Sequence, residues 1–176
     1  MILSFGQKAI LAILEHVGYI RTDQILALIN MQDKLSEVDT RRITPMLAQL
    51  VNRHGRVRMQ GDIVMWGGIR PVSPQFLEAI DLMIALAGTQ SPMIAGNWKK
   101  PVLLRFSIPK GQEIHPFSIV PFSPETVFQW MPLSGDRVVF LIENDTLPQV
   151  GTLPYKHFFA MRQEDGTHRF FAGSVG

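Results

Sequence analysis

Residues 7–66 contain three helix-like segments followed by a pair of short strands, and this order constrains the fold most. In the first segment the apolar residues recur at helical spacing and stop before Gly18. The second segment follows Thr22, a residue type that caps helices, and repeats the helical spacing up to Asn30. The sequence therefore predicts two consecutive helices before residue 31.

A third helix is predicted by a one-sided apolar stripe. Its members are Ile43, Met46, Leu47, Leu50 and Val51, spaced i, i+3, i+4, i+7 and i+8. Pro45 leaves two alternatives, because proline lacks the N–H that a helix interior requires. Either Thr44 caps a helix that begins at Pro45, or the helix begins near Asp39 and is kinked. Gly55 ends the helix in both cases.

Two short segments after Gly55 alternate polar and apolar residues, as half-buried strands do. They span residues 56–59 and 63–66, with a tight turn at 60–62 between them. Three helices followed by a two-stranded ribbon are the arrangement of a winged helix, a variant of the helix-turn-helix. We therefore expect a winged-helix domain over residues 1–70.

Arginines cluster in the part of this domain that would meet DNA. Residues 1–60 carry a net charge of +3, whereas residues 61–176 carry −1. The start of the third helix is where such domains contact base edges, and arginine pairs with guanine or with phosphate. The candidate DNA-binding residues are Thr40, Arg41, Arg42, Arg53, Arg56 and Arg58. The alternative is an adaptor in which the winged helix binds a protein and no DNA.

The rest of the chain changes from helical to strand-like patterns. Residues 71–100 read as a connecting helix, begun by Ser73 and Pro74, and a loop. Residues 101–176 read as a small α+β domain of about five strands, with residues 136–143 as the central strand. One helical turn is expected at 147–150, and Asp165-Gly166 marks a hairpin. The predicted fold class is α+β, a winged helix followed by a mixed-sheet domain.

The second domain offers little for catalysis. Glu113, Glu143 and Asp145 could serve a divergent metal-dependent nuclease, but no lysine stands two residues beyond either glutamate. His157 and His168 could face each other across the last hairpin, which is ordinary cross-strand packing more often than a metal site. The chain has no cysteine. We therefore expect a non-enzymatic protein with no metal and no cofactor.

Location follows from hydropathy. The first twenty residues are apolar, but Lys8, Glu15 and His16 interrupt them, and this segment reads as a core helix rather than a signal peptide. No run of 18 or more apolar residues exists, so no membrane span is predicted. The expected location is the cytoplasm.

The winged-helix stretch and three later segments also carry a resemblance; the segments read LLRFSIPKGQEIHPFSIV, RVVFLIEND and HFFAMRQEDGTHRFFAGS. In element order the chain resembles small bacterial winged-helix proteins and, more distantly, the replication-relaxation family of plasmids and conjugative elements. That resemblance implies DNA binding in the replication, maintenance or transfer of a mobile element. The family's second domain is similar to a restriction-endonuclease core; here, without the acid-x-lysine element, it would instead form a homodimer or recruit a protein partner.

Overall fold

The chain divides into two compact units, Met1–Ile94 and Ala95–Gly176, each of which is described by itself. The computed structural model describes residues 2–32, 40–96, 98–143 and 152–173, without the side chains of Thr40 and Phe128. Helices dominate the first unit and a mixed sheet dominates the second. The predicted α+β class is thereby confirmed.

Unit 1 has the element order of a winged helix. Its elements are α1 (Phe5–Val17), β1 (Tyr19–Arg21), α2 (Thr22–Asn30), α3 (Thr40–Arg53), β2 (Val57–Gln60), β3 (Ile63–Trp66), α4 (Pro74–Ala87) and β4 (Met93–Ile94). The first three strands form an antiparallel sheet in the order β1-β3-β2. The sequence predicted the hairpin but not β1, because three residues are too few to show an alternating pattern.

The ends of α1 and α2 show what begins and stops these helices. The side chains of Ser4 and Gln7 form a reciprocal capping box at the start of α1, and Gly18, with a φ of 80°, ends it. The expectation that Thr22 caps α2 is wrong. The N-cap is Arg21, whose N–H donates to Gln24 Oε1 at 3.1 Å, while the Thr22 hydroxyl donates to the carbonyl of Asp62 at 3.0 Å.

Helix α3 contains Pro45 in its interior, so the earlier of the two predicted starts is correct. Proline has no N–H, and the carbonyl of Arg41 therefore lacks its usual partner four residues ahead. The stripe of Ile43, Leu47 and Leu50 is fully buried and holds the helix against the core of unit 1.

The three-stranded sheet of unit 1 is covered on both faces. Ile20, Val57 and Val64 are fully buried on the face that packs against α1 and α3. Alternate residues point the other way, and there the ring of Tyr19 meets Phe76 of α4 with centroids 5.1 Å apart. Arg21 donates to Asp81 of α4 at 2.6 Å. Residues 71–100 were predicted to form a connector, but α4 belongs to unit 1.

The pairing of Arg21 has an electrostatic consequence. Partial burial opposes the charged form of this guanidinium, but the hydrogen bonds and charges of Asp23 and Asp81 outweigh that effect and raise its pKa. Gln24 also donates to the Asp81 carboxylate at 2.7 Å. Asp81 thus connects α4 to both β1 and α2.

Unit 2 contributes five strands to a mixed sheet, in the order β5-β6-β7-β8-β9. Its elements are β5 (Leu104–Lys110), β6 (Glu113–Pro121), α5 (Pro124–Gln129), β7 (Arg137–Ile142), β8 (His157–Arg162) and β9 (His168–Ala172). The two outer pairs are antiparallel, whereas β6, β7 and β8 run parallel. The prediction that residues 136–143 supply the central strand is confirmed by β7. The helical turn expected at 147–150 lies outside the described residues.

A group of buried apolar side chains forms the core of unit 2. It comprises Val120, Val127, Val138, Phe140, Ile142, Leu153, Phe159 and Met161. The Phe140 ring lies 5.9 Å from that of Phe122 and 5.8 Å from that of Phe159, between centroids. Aromatic contacts centred on Phe140 therefore join the aliphatic residues in packing one face of the sheet.

A fully buried carboxylate, Asp136, lies directly before β7. It accepts hydrogen bonds from Nε and Nη2 of Arg105, each at 2.9 Å, and from Oγ of Ser118 at 2.6 Å. The hydrogen bond to Asp136 raises the pKa of Arg105. No sequence pattern indicated this cluster, because its members lie in β5, in β6 and directly before β7.

Within the described ranges, every helix is too short or too polar to cross a membrane.

Candidate nucleic-acid interface

The solvent face of α3 is the centre of the candidate interface. At 100° per residue, Arg41, Pro45, Ala48 and Asn52 line up directly opposite the buried stripe, and all four are exposed. Only Arg41 of these four was predicted as a site residue. A helical wheel centred opposite the apolar residues would have found the other three.

Two further predicted arginines flank this face. Arg42 and Arg53 are exposed and lie eleven residues apart, which is three turns or about 17 Å along the helix. Gln49 lies between them and accepts a hydrogen bond from the amide of Gln7 at 2.9 Å. This flank of α3 therefore borders α1. The side chain of Thr40, another predicted contact, lies outside the described part of the chain.

The charged residues of α3 and the first hairpin strand are all basic. Residues 40–61 include five arginines and no aspartate or glutamate. Within the described ranges, Arg41, Arg53, Arg56 and Arg58 form no ion pair with a carboxylate. An exposed group of cations attracts anions such as phosphates.

The two arginines of the hairpin are both exposed, but they make different contacts. Arg56 precedes β2, and its guanidinium lies 5.9 Å from the centroid of the Trp66 ring. Arg58 donates to the neighbouring carbonyl of Val57 at 2.9 Å. Because Val57 faces the core, Arg58 points to the sheet face opposite α3. The structure therefore does not place Arg58 on the α3 side.

The hairpin tip is short and held in place. Gly61, with a φ of 61°, and Asp62 form a two-residue turn with glycine in its first position, as in a type II′ turn. The carbonyl of Asp62 accepts the N–H of Thr22 at 2.9 Å and the Thr22 hydroxyl at 3.0 Å. These bonds hold the tip against the start of α2.

The acids proposed for a nuclease do not converge. Glu113 begins β6 and Glu143 directly follows β7, and the two strands are parallel. With Phe117 opposite Arg137, the glutamates lie about 30 Å apart along the strands. Asp145 lies outside the described residues. Across the ranges that the structure describes, no three His, Cys, Asp or Glu residues form a group that could hold a metal ion.

The predicted pairing of His157 with His168 is wrong. In the last hairpin His168 lies opposite Arg162, and Phe158 lies opposite Ala172. The two histidines are therefore at opposite ends of the paired segment. His157 is buried, and its ring packs edge-on against both Phe140 and Phe159.

No protein-family model matches this chain, and no curated protein matches it either, so a functional assignment depends on the geometry given above.

Proposed function

We propose that unit 1 binds double-stranded DNA and presents the solvent face of α3 to the major groove. The observation that carries this proposal is the acid-free stretch of residues 40–61, whose five arginines include three exposed on α3. An α-helix fits the major groove, and in winged helices the third helix enters it.

The side chains along α3 suit both kinds of contact that such a helix makes. Arg41 can pair with the O6 and N7 atoms of guanine, and Asn52 can pair with the N6 and N7 atoms of adenine. Ala48, between them on the same face, is small enough to let the helix approach the bases and to contact a thymine methyl group. Arg42 and Arg53 flank this face and are suited to phosphates, which fix the register of the helix.

The hairpin has a smaller part in the proposal. Its tip is bonded to Thr22, so it does not extend freely along the DNA. Arg56 remains exposed and can hold a phosphate at the edge of the interface, whereas Arg58, also exposed, points to the opposite sheet face and adds only its charge. Their removal is expected to cost less affinity than removal of the α3 arginines.

The cellular role is a wider part of the same proposal. The resemblance to replication-relaxation proteins supports a cytoplasmic role in the replication, maintenance or transfer of a mobile element. Unit 2 would then join two copies, since many such modules bind two half-sites as dimers.

Fluorescence anisotropy with a labelled random-sequence duplex tests the proposal. If four or five phosphates are neutralised, log K should fall against log salt with a slope of about −4. Arg41→Ala should weaken binding by about tenfold, a loss typical of one base or phosphate contact. Lys8→Ala removes one exposed charge of unit 1 from α1 and is the matched control, with an expected loss of about twofold or less.

Two results would overturn the assignment. One is the absence of salt-dependent binding, which is the behaviour of a protein-interaction adaptor. The other is an equal loss in Arg41→Ala and Lys8→Ala, which would indicate general charge attraction rather than an interface on α3.

A further inference from the structure

Unit 2 contains a cavity of about 270 Å³ that the DNA-binding proposal does not use. Six of the residues that line it carry aromatic, cationic or hydroxyl groups: Trp98, Lys99, Lys100, Arg105, Ser118 and Trp130. The remaining lining residues are apolar, and no acidic side chain lines the cavity. A site with cations and indoles but no carboxylate favours an anionic ligand with an aromatic ring.

The guanidinium of Arg105 is held in one orientation. Asp136 is fully buried and binds Nε and Nη2 of Arg105 at 2.9 Å each. An arginine has five N–H donors, and two of them are used here. The arginine side chain is 28% exposed, so the other donors, including both on Nη1, are available to an anion in the cavity. Ser118 uses its own proton on Asp136, which leaves its oxygen as an acceptor.

Two lysines supply the net charge. Because Asp136 neutralises Arg105, the positive charge of the cavity comes from Lys99 and Lys100, which are both exposed. In the described portion of the chain neither lysine pairs with a carboxylate. Flexible ammonium groups beside a fixed guanidinium are a common arrangement for binding phosphate.

Two indole rings line the same cavity. Trp98 and Trp130 are half-buried, so each presents part of its ring to the cavity. Stacking of a nucleobase on an aromatic side chain is favourable for every base, because every base has a π-face. A cavity of about 270 Å³ is slightly smaller than the usual range of about 300–1,000 Å³ for small-molecule sites. It suits one nucleotide and is too small for a dinucleotide.

We propose that this cavity binds a single nucleotide unit, with the base against Trp98 and Trp130 and the phosphate at Lys99, Lys100 and Arg105. The ligand is either a free nucleoside monophosphate or an unpaired nucleotide within a single strand, which share this chemistry. The site lies wholly in unit 2 and does not depend on the DNA-binding proposal for α3.

Isothermal titration of the full-length protein with dTMP, thymidine and inorganic phosphate tests the site. Because base and phosphate contacts are both required, dTMP should bind about tenfold or more tightly than either fragment alone. Titration with a short oligo(dT) distinguishes the sources. A single-stranded ligand predicts tighter binding of the oligonucleotide than of dTMP, and a free nucleotide predicts no gain.

Substitutions of lining residues test whether dTMP binds in this cavity. Lys99→Ala combined with Lys100→Ala changes only exposed residues and should weaken dTMP binding by about tenfold, as should Trp130→Leu. The matched controls are Lys110→Ala and Trp66→Phe, which change the same residue types outside the cavity and should leave dTMP binding unchanged. Thermal unfolding checks that Trp130→Leu is folded.

The proposal fails if dTMP does not bind at millimolar concentration, or if the double lysine variant binds it as well as the unchanged protein. The two proposals also fail separately. Arg41→Ala should reduce duplex binding without changing dTMP binding. When Arg41→Ala is added to the double lysine variant, it should still reduce duplex binding.

Discussion

The carboxylate of Asp136 is accommodated in the interior of unit 2 because three hydrogen-bond donors surround it. Arg105 supplies two of them and Ser118 supplies the third. A buried carboxylate without such partners would be costly. No local pattern could predict this arrangement, since Arg105 and Asp136 are 31 residues apart. Only the pairing of β5 with β6 and of β6 with β7 brings the three residues together.

We expect Asp136→Asn to destabilise the protein by about 2–4 kcal/mol. Breaking a buried ion pair typically costs about 3–5 kcal/mol, but Arg105 is 28% exposed and can regain some hydration. Urea unfolding, followed by circular dichroism, measures the change. Asp165→Asn is the comparison, because Asp165 also accepts two hydrogen bonds from Thr167 yet is exposed. A similar loss in both variants would show that burial of Asp136 is not the cause.

At the scale of elements, prediction succeeded where a pattern extends over several residues. The strand pattern of residues 136–143 and the apolar stripe of α3 were long enough to identify their elements and most of their bounds. Partners outside an element were not predictable. Thr22 is of a residue type that often caps helices, but in the fold its hydroxyl donates to the carbonyl of Asp62 in the hairpin. The solvent face of α3 was predictable because it follows from the spacing within one helix. The direction in which Arg58 points was not, because it depends on how the sheet packs against α3.

The turn between β2 and β3 allows an element-scale prediction. Gly61 adopts a φ of 61°, a conformation that costs a residue with a Cβ about 1–2 kcal/mol. We therefore expect Gly61→Ala to destabilise the protein by about that amount. Gly55→Ala is the control, because Gly55 has no positive φ and no atom within 4 Å of an added Cβ. Equilibrium unfolding gives the midpoint of each variant, and equal midpoints would contradict the prediction.

At the scale of the whole molecule, the main difference from the sequence prediction is the place of α4. Its cap and first residue, Ser73 and Pro74, were recognised, yet a helix pattern does not reveal which sheet it covers. The contacts of Tyr19 with Phe76 and of Arg21 with Asp81 assign α4 to unit 1. The part of the chain that binds DNA in our proposal is thus about a third longer than the predicted domain of residues 1–70.

Two fragments test this division. The fragment of residues 1–94 should fold alone, because α4 then covers the second face of the sheet. The fragment of residues 1–70 should not fold stably, since Tyr19 loses the cover of Phe76 and Arg21 loses Asp81. Amide dispersion in NMR spectra distinguishes the two states. If unit 2 joins two copies, fragment 1–94 should bind duplex DNA about 10- to 100-fold more weakly than the full chain. Its binding should still depend on Arg41. A folded fragment 1–70 would contradict the role given to α4, and an unfolded fragment 1–94 would contradict the division at residue 94.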